Sequence, residues 1–175
     1  MRQLKINLTE LEMAFDSYGE MISYYLDLET GEVISVSDEE RSLLESIYES
    51  YYDDQSETVD WESALEKEHV PDWQREQLQN ADRIEAGLGD RFVSIQSEDS
   101  HEGYRDMEAF IATVRSRRLR ERLERAISGR GAIRYFKDVL LDYPTERERW
   151  FQFKRERLQQ RILDWLEAHE ITSLE

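Results

Sequence analysis

The chain has 175 residues, of which 39% are hydrophobic, 11% aromatic and 36% charged, and its formal net charge is −17. A chain of this length can bury roughly 70% of the surface that its unfolded state exposes, which predicts one folded domain over residues 1–175. Because the sequence contains no cysteine, it excludes disulfide bonds, thiolate catalysis and cysteine-ligated metal sites.

The N-terminal part begins with a short helix and a β-hairpin. Asn7 or Thr9 can cap the helix, which Gly19 ends. Residues 22–36 then contain two runs rich in β-branched and aromatic residues, ISYYLDL and VISV, which predict the hairpin. Gly31 lies in the turn between them, and we expect it to have a positive φ, which costs glycine little.

Helices dominate the rest of the first hundred residues. Ser37 and Glu40 have the spacing of a capping box, and apolar residues follow at helical intervals, so a helix is predicted over residues 38–52. The next predictions are an exposed acidic loop, two helices and a strand, over residues 53–60, 61–68, 71–86 and 91–95. The strand should add to the hairpin, since an isolated two-stranded ribbon is only marginally stable in water.

The C-terminal part is predicted to be helical. Apolar residues recur at helical spacing throughout it, and a helix start is indicated at Pro144. Thr145 and Glu148 have the spacing of a second capping box. We expect Phe136 and Trp165 to be buried between these helices.

These elements predict an α+β protein that is predominantly helical. A small antiparallel sheet, made of the hairpin at 22–36 and the strand at 91–95, should pack with helices, and the end of the chain should form a helical subdomain. The alternative to a single domain is a division into an acidic α+β part, residues 1–99, and an arginine-rich helical part, residues 100–175.

The stretch from residue 127 to residue 166 resembles a known bacterial family. It contains GRGAIRYFKDVL, then RWFQFKRERL, then ILDWL, and this order of glycines, aromatic residues and a Lys-Asp pair is similar to that of Uncharacterised Protein Family 0158. A weaker similarity covers YYLDLETGEVI near the N-terminus. Ile133 and Tyr135 stand where the family pattern has Phe and Arg. The resemblance implies a bacterial protein and no particular activity.

Charge is distributed very unevenly along the chain. Residues 1–100 contain 26 acidic and 7 basic residues, a net of −19, whereas residues 101–175 contain 14 acidic and 16 basic residues, a net of +2. Opposite the apolar stripes, a face of arginines is predicted at helical spacing: Arg115, Arg118, Arg122 and Arg125. These arginines either pair with carboxylates of the same protein or bind an acidic partner or a polyanion.

A glycine corner at Gly129 and Gly131 follows this face and carries Arg130 and Arg134. Two interpretations of the corner are open. A helix that begins at Gly131 would present unpaired amides and the positive end of its dipole to a phosphate or carboxylate. Alternatively, the glycines only end one helix and allow close packing of the next, while Arg134 pairs with Asp138.

The sequence contains no catalytic motif, phosphate-binding loop or metal-ligand spacing, and we predict no catalytic residue, no cofactor and no metal. The favoured interpretation is a non-enzymatic interaction or regulatory protein that binds another protein. One alternative is a nucleic-acid-associated protein using residues 115–134, which the net charge disfavours. The other is an enzyme that acts on an anionic small molecule at residues 129–134.

The location and assembly of the protein leave few signals in the sequence. No apolar run is long enough to cross a membrane, and the N-terminus lacks the apolar core of a signal peptide. We therefore expect a cytoplasmic protein that does not bind membranes. The sequence indicates no particular oligomeric state.

Overall fold

A computed structural model describes residues 1–17 and 21–174 of the protein. The predicted end of the first helix at Gly19 lies outside these residues. Within them, the elements in chain order are β1 (Arg2–Lys5), α1 (Leu8–Phe15), β2 (Ile22–Asp27), β3 (Val33–Ser37), α2 (Asp38–Tyr51), β4 (Tyr52–Asp53), β5 (Thr58–Val59), α3 (Trp61–Lys67), α4 (Asp72–Gly87), β6 (Phe92–Ile95), α5 (Ser100–Thr113), α6 (Arg117–Ile127), α7 (Ala132–Leu141), α8 (Pro144–Ala168) and β7 (Ile171–Leu174). The predicted α+β class with predominant helix is confirmed.

The described residues form two compact units. Unit 1 comprises residues 1–14, 21–96 and 172–174, and unit 2 comprises residues 15–17 and 97–171. Each unit has its own hydrophobic core. The predicted division of the chain at residues 99 and 100 lies close to this boundary, and the number of independently folding domains stays a prediction.

Unit 1 contains a three-stranded antiparallel sheet in which β2 is central, between β3 and β6. In the register of the sheet, Tyr25 of β2 is opposite Ile34 of β3 and Ser94 of β6. Buried residues of α2 and α4, including Leu44 and Leu78, share one core with the inward residues of the strands. The predicted hairpin and its third strand are therefore confirmed.

Glycine and a buried ion pair shape the turn of this hairpin. Gly31 has a φ of 79°, as predicted, and its amide donates a hydrogen bond of 2.8 Å to the carbonyl of Asp27. The Asp27 carboxylate is buried at the end of β2 and accepts three hydrogen bonds from Arg91, of 2.7, 3.1 and 3.2 Å. This fork connects the end of β2 to the residue that precedes β6.

Two small sheets have no counterpart in the sequence prediction. β1 pairs with β7, near the opposite end of the chain. β4 pairs with β5, with Tyr52, the last residue of the predicted helix, opposite Val59 of the predicted exposed loop. Strands of four and two residues are too short for an alternating pattern to be recognised, and only the presence of a partner strand stabilises them.

The core of unit 2 is aromatic. Phe110 of α5, Phe136 of α7 and Trp150 of α8 pack edge to face, with ring centroids 4.7 to 6.1 Å apart. The predicted burial of Phe136 is confirmed, because its side chain is fully inaccessible. Trp165 is only partly buried and packs against Phe15 at 5.6 Å, so its predicted place between the C-terminal helices is wrong.

Helix α8 starts where the sequence predicts, but by a different mechanism. It begins at Pro144, and Tyr143 is its N-cap without a side-chain cap. Thr145 therefore lies inside the first turn, and the predicted capping box with Glu148 is wrong. The fixed φ of proline favours the first helical position, which moves the start of the helix ahead of the threonine.

Candidate functional site

The predicted arginine face lies on α6 in unit 2, except for its first member. Ser116 caps α6, and its hydroxyl accepts a hydrogen bond of 3.3 Å from the Leu119 amide. Arg115 consequently lies in the connection between α5 and α6, and its predicted place on the helical face is wrong. The helix buries Leu119, Leu123 and Ile127 and leaves its arginines on the outer side.

Three arginines of α6 and one of the following corner line a single groove. The groove has a volume of about 710 Å³ and is bounded by α6, the glycine corner and α7. Four guanidinium groups belong to its lining, those of Arg118, Arg122, Arg125 and Arg130, and we call this cavity the arginine groove. Asp138 is the one carboxylate among its described lining residues, so positive charge exceeds negative charge by three.

Two of these guanidinium groups are bonded within the fold. Arg122 is half-buried and donates hydrogen bonds to the hydroxyl of Tyr143 at 3.2 Å and to the carboxylate of Asp142 at 3.4 Å. The hydrogen bond to Tyr143, followed by that to Asp142, raises the pKa of Arg122 above its ordinary value. Arg125 donates from Nε to the backbone carbonyl of Glu121 at 3.2 Å, and it forms no ion pair with a carboxylate of the described residues.

The other two guanidinium groups are exposed. Arg118 and Arg130 form no ion pair with any residue of the described ranges. The acidic residue nearest to Arg118 in sequence, Glu121, pairs instead with Arg117 at 2.9 Å, and neither residue lines the groove. The arginine groove therefore retains guanidinium groups that can bind a ligand without first breaking an internal ion pair.

The glycine corner separates the two arginines that the sequence places in one anion site. Gly131, rather than Gly129, has the left-handed φ, 74°, and it is the N-cap of α7. Arg130 lines the arginine groove, whereas Arg134 lines a different cavity, of about 630 Å³, between α5 and α7. Arg134 lies 4.0 Å from Asp138, which agrees with the predicted pairing one turn apart.

The electrostatics of this region differ from those of the whole protein. Residues 115–137 contain nine basic and two acidic residues, a net of +7 in a protein of net −17. Guanidinium groups bind carboxylates and phosphates through paired, charge-assisted hydrogen bonds, and a cleft lined by one sign of charge concentrates counter-charged ligands. The arrangement can therefore recognise an anionic group.

A second charged cluster lies in unit 2, and no motif in the sequence indicates it. The carboxylates of Glu98 and Asp106 are buried, Arg161 donates hydrogen bonds to both, and Arg157 donates to Asp106. Burial raises the pKa of Glu98, and the positive charge of Arg161, which lowers that pKa, only partly offsets the effect. Because two guanidinium groups match two carboxylates, the cluster is balanced in charge, and its evident role is to connect α8 to α5 and to the residues before α5.

Two further observations concern sites that the sequence leaves open. Within residues 1–17 and 21–174, no group of three His, Asp or Glu side chains is arranged to hold a metal ion, and the three histidines are exposed. In the same ranges, no helix combines the length and the apolar character that crossing a membrane requires. The absence of a cofactor and the cytoplasmic location stay predictions.

The arginine groove falls inside a region that matches a known family. Residues 71–174 match the model of an uncharacterised protein family, UPF0158. The chain belongs to this family. A UPF0158 protein of Pseudomonas aeruginosa is 26% identical to the chain over 171 residues, which cover 98% of this chain and 87% of the relative. No solved structure matches the chain. The resemblance to UPF0158 indicated by the C-terminal sequence is thus confirmed.

Proposed function

We propose that this UPF0158 protein is a non-enzymatic interaction protein whose arginine groove binds an acidic segment of another protein. The observation that supports the proposal is the convergence of four guanidinium groups on one groove that contains a single carboxylate. Such an excess of charge opposes folding unless a ligand neutralises it, and binding surfaces commonly retain charges of this kind.

The size of the groove and the charge of the protein favour an acidic peptide over a nucleic acid. Duplex or single-stranded nucleic acid gains its affinity from many phosphates along an extended basic surface. Here the basic residues are concentrated in residues 115–137, whereas residues 1–100 carry a net charge of −19 that repels a long polyanion. A short run of glutamate or aspartate carries enough carboxylates to neutralise the groove, whose described lining has an excess of three positive charges.

An enzyme acting on an anionic small molecule is the weaker candidate. Arg130 and Arg134 are the two arginines of residues 129–134, and Arg134 lies 4.0 Å from the carboxylate of Asp138, so this corner is a less concentrated positive site than the four guanidinium groups of the arginine groove. The arginine groove supplies hydrogen-bond donors and positive charge, which bind and orient an anion. Binding alone accounts for its composition.

The test compares two double charge reversals in the full chain. Arg118→Glu with Arg130→Glu changes two exposed groove residues that form no ion pair with any described residue. Arg115→Glu with Arg155→Glu makes the same change of net charge outside the groove. A fluorescein-labelled peptide of alternating Glu and Asp is titrated in fluorescence anisotropy. We expect the groove variant to bind at least about tenfold more weakly, equivalent to 1.4 kcal/mol, and the control variant to bind nearly as the native protein does.

Two further arms define what contradicts the proposal. The affinity of the native protein for the acidic peptide should fall as NaCl rises from about 50 to 300 mM, because exposed charges are screened. A single-stranded RNA and a duplex DNA of matched charge are titrated in parallel. Equal losses in both variants, or a nucleic acid that binds more tightly than the peptide, would overturn the acidic-segment proposal.

A further inference from the structure

Helix α7 exposes apolar side chains beside the residues that it buries in the aromatic core. Ile133 is 39% exposed and Leu141 is 61% exposed, although both belong to a helix whose Phe136 is fully buried. Phe151, in the first turns of α8, is 40% exposed. We call these three residues the apolar stripe of α7. Large exposed apolar groups that cluster in this way mark interaction surfaces more often than isolated ones do.

Two cavities join the members of this stripe. The cavity between α5 and α7, of about 630 Å³, includes Ile133 and Lys137. A smaller one between α7 and α8, of about 220 Å³, includes Lys137, Leu141 and Phe151. Because Lys137 and Asp138 line both cavities, the two adjoin along α7. From Ile133 to Leu141 the helix rises by about 12 Å, or slightly more than two turns.

Cationic side chains border the stripe. Arg134 and Lys137 line the first cavity, and Arg147 lines the second, with its guanidinium group 5.3 Å from the centre of the Phe151 ring. Within the described part of the chain, neither Lys137 nor Arg147 forms an ion pair. Asp138 is 4.0 Å from Arg134, at the limit of an ion pair. The border therefore complements an occupant that combines apolar side chains with carboxylates.

We infer that the apolar stripe of α7 binds the apolar face of an amphipathic acidic helix. This inference rests on the proposed function, and it specifies the partner segment. The segment carries carboxylates that reach the arginine groove and the border of the stripe. It also carries two or three large apolar residues, each one helical turn from the next. Helices bind hydrophobic grooves through such residues at positions i, i+3 or i+4, and i+7. The spacing matches the two-turn length of the stripe.

The charges that border the stripe favour this occupant over a nucleic acid or a second copy of the chain. A nucleic acid offers phosphates but no aliphatic side chain for Ile133 and Leu141. A second copy of α7 would bring Arg134 and Lys137 against the same cations, which costs free energy through like-charge repulsion. An acidic amphipathic helix satisfies both the apolar stripe and its cationic border.

The experiment uses two peptides of equal length and charge. Both carry the same glutamates; one has three leucines at helical spacing and the other has glutamine at those positions. Each peptide is titrated against three proteins: the native chain, the stripe variant Ile133→Gln with Leu141→Gln, and the control variant Met13→Gln with Leu163→Gln. The control variant changes two exposed residues outside the three cavities described above. We expect the leucine peptide to bind the native and control proteins at least about tenfold more tightly than the glutamine peptide does.

In the stripe variant this preference should disappear, while the weaker binding of the glutamine peptide remains. Equal affinity of the two peptides for the native protein, or a leucine preference that persists in the stripe variant, would overturn the inference and leave the arginine groove intact. Failure of both peptides to bind would overturn the proposed function and this inference together. A native dimer that the stripe variant converts to a monomer, measured by light scattering, would assign the stripe to a second copy instead.

Discussion

Asp27 is a buried carboxylate whose ionised form depends on Arg91. Burial alone would raise its pKa, but the hydrogen bonds from Arg91 and from the backbone amide of Glu29 more than offset that effect, so the pKa of Asp27 is lowered below its ordinary value. Since the folded pKa lies below that of the unfolded chain, about 3.9, the ionised carboxylate stabilises the fold above that pH. The stabilisation is lost as the pH falls through the lowered pKa.

The lowered pKa of Asp27 predicts how the stability of Asp27→Asn changes with pH. At pH 7 the variant should unfold at a lower denaturant concentration than the native protein, because Asn offers Arg91 one uncharged acceptor oxygen in place of two charged ones. The difference should shrink below about pH 4, where Asp27 of the unfolded chain takes up a proton while the folded carboxylate remains ionised. Urea unfolding followed by circular dichroism between pH 3 and 7 measures it, and a difference that stays constant over this range would contradict the assignment.

Gly31 is restricted both by its own conformation and by its surroundings. Its φ is 79°, and a Cβ at this position would lie 2.6 Å from the carbonyl oxygen of Lys5. Gly89 has a similar φ, 86°, but nothing lies within 4 Å of its Cβ position. The two glycines therefore separate the cost of left-handed backbone from the cost of a clash.

We predict that Gly89→Ala costs about 1 to 2 kcal/mol, the usual penalty for a side chain in the left-handed region. Gly31→Ala should cost clearly more, and Gly31→Val more again, because backbone atoms must also move. Chemical denaturation of the three variants provides the comparison. If Gly31→Ala and Gly89→Ala were equally stable, the close approach of Lys5 to the turn would be refuted.

At the scale of elements, the packing of α7 against α5 and α8 depends on Phe136. Its ring contacts both Phe110 and Trp150 edge to face, and Phe136→Ala should cost about 3 to 5 kcal/mol through lost transfer energy and a residual cavity. Trp165→Ala should cost less, since that ring is partly exposed and contacts Phe15 and His169. Urea midpoints of the two variants decide the order, and a larger loss for Trp165→Ala would contradict this account of the core.

The outer side of α6 carries an arginine that is bonded within the fold, Arg122, and one that forms no ion pair with any described residue, Arg118. Arg122 joins α6 to the connection between α7 and α8 through contacts with Tyr143 and Asp142. Its guanidinium group also lies 5.5 Å from the centre of the Tyr143 ring. Arg118 has no such contacts. We predict that Arg122→Glu lowers the melting temperature and that Arg118→Glu leaves it nearly unchanged, although both reduce binding of the acidic peptide. Differential scanning fluorimetry separates the two effects, and equal melting temperatures would show that the contacts of Arg122 do not stabilise the fold.

For the whole molecule, the dominant long-range effect is repulsion within the acidic part of the chain. The net charge is −19 over residues 1–100 and +2 over residues 101–175. We predict that NaCl raises the melting temperature at pH 7, because screening weakens this repulsion more than it weakens the buried ion pairs. The gain should diminish as the pH approaches the sequence pI of about 4.6. A melting temperature that falls with salt would indicate that exposed attractive pairs outweigh the repulsion.

Local sequence determined the elements whose stabilising contacts are close along the chain. The capping box of Ser37 and Glu40 is formed with both of its hydrogen bonds. The hairpin turns at a glycine of positive φ, and the buried apolar residues of α5, α6 and α7 belong to one core. Membership of UPF0158 was also visible in the sequence, because the glycines and aromatic residues that carry it lie in one continuous stretch. These features depend on local backbone conformation and on the spacing of residues that are close in sequence, so they can be predicted from the sequence alone.

Tertiary structure decided which charges are paired and which remain free. The sequence contains the arginines but not their partners: Arg91 binds a carboxylate 64 residues away, and Arg161 binds one 55 residues away. Whether Arg118 and Arg130 face the same groove, and Arg134 another, depends on how α6 and α7 pack about Gly131. The pairing of β1 with β7 depends on strands from the two ends of the chain. Ion pairs, grooves and strand partners of this kind join residues distant in sequence, and only the folded chain specifies them, because side-chain packing fixes their positions.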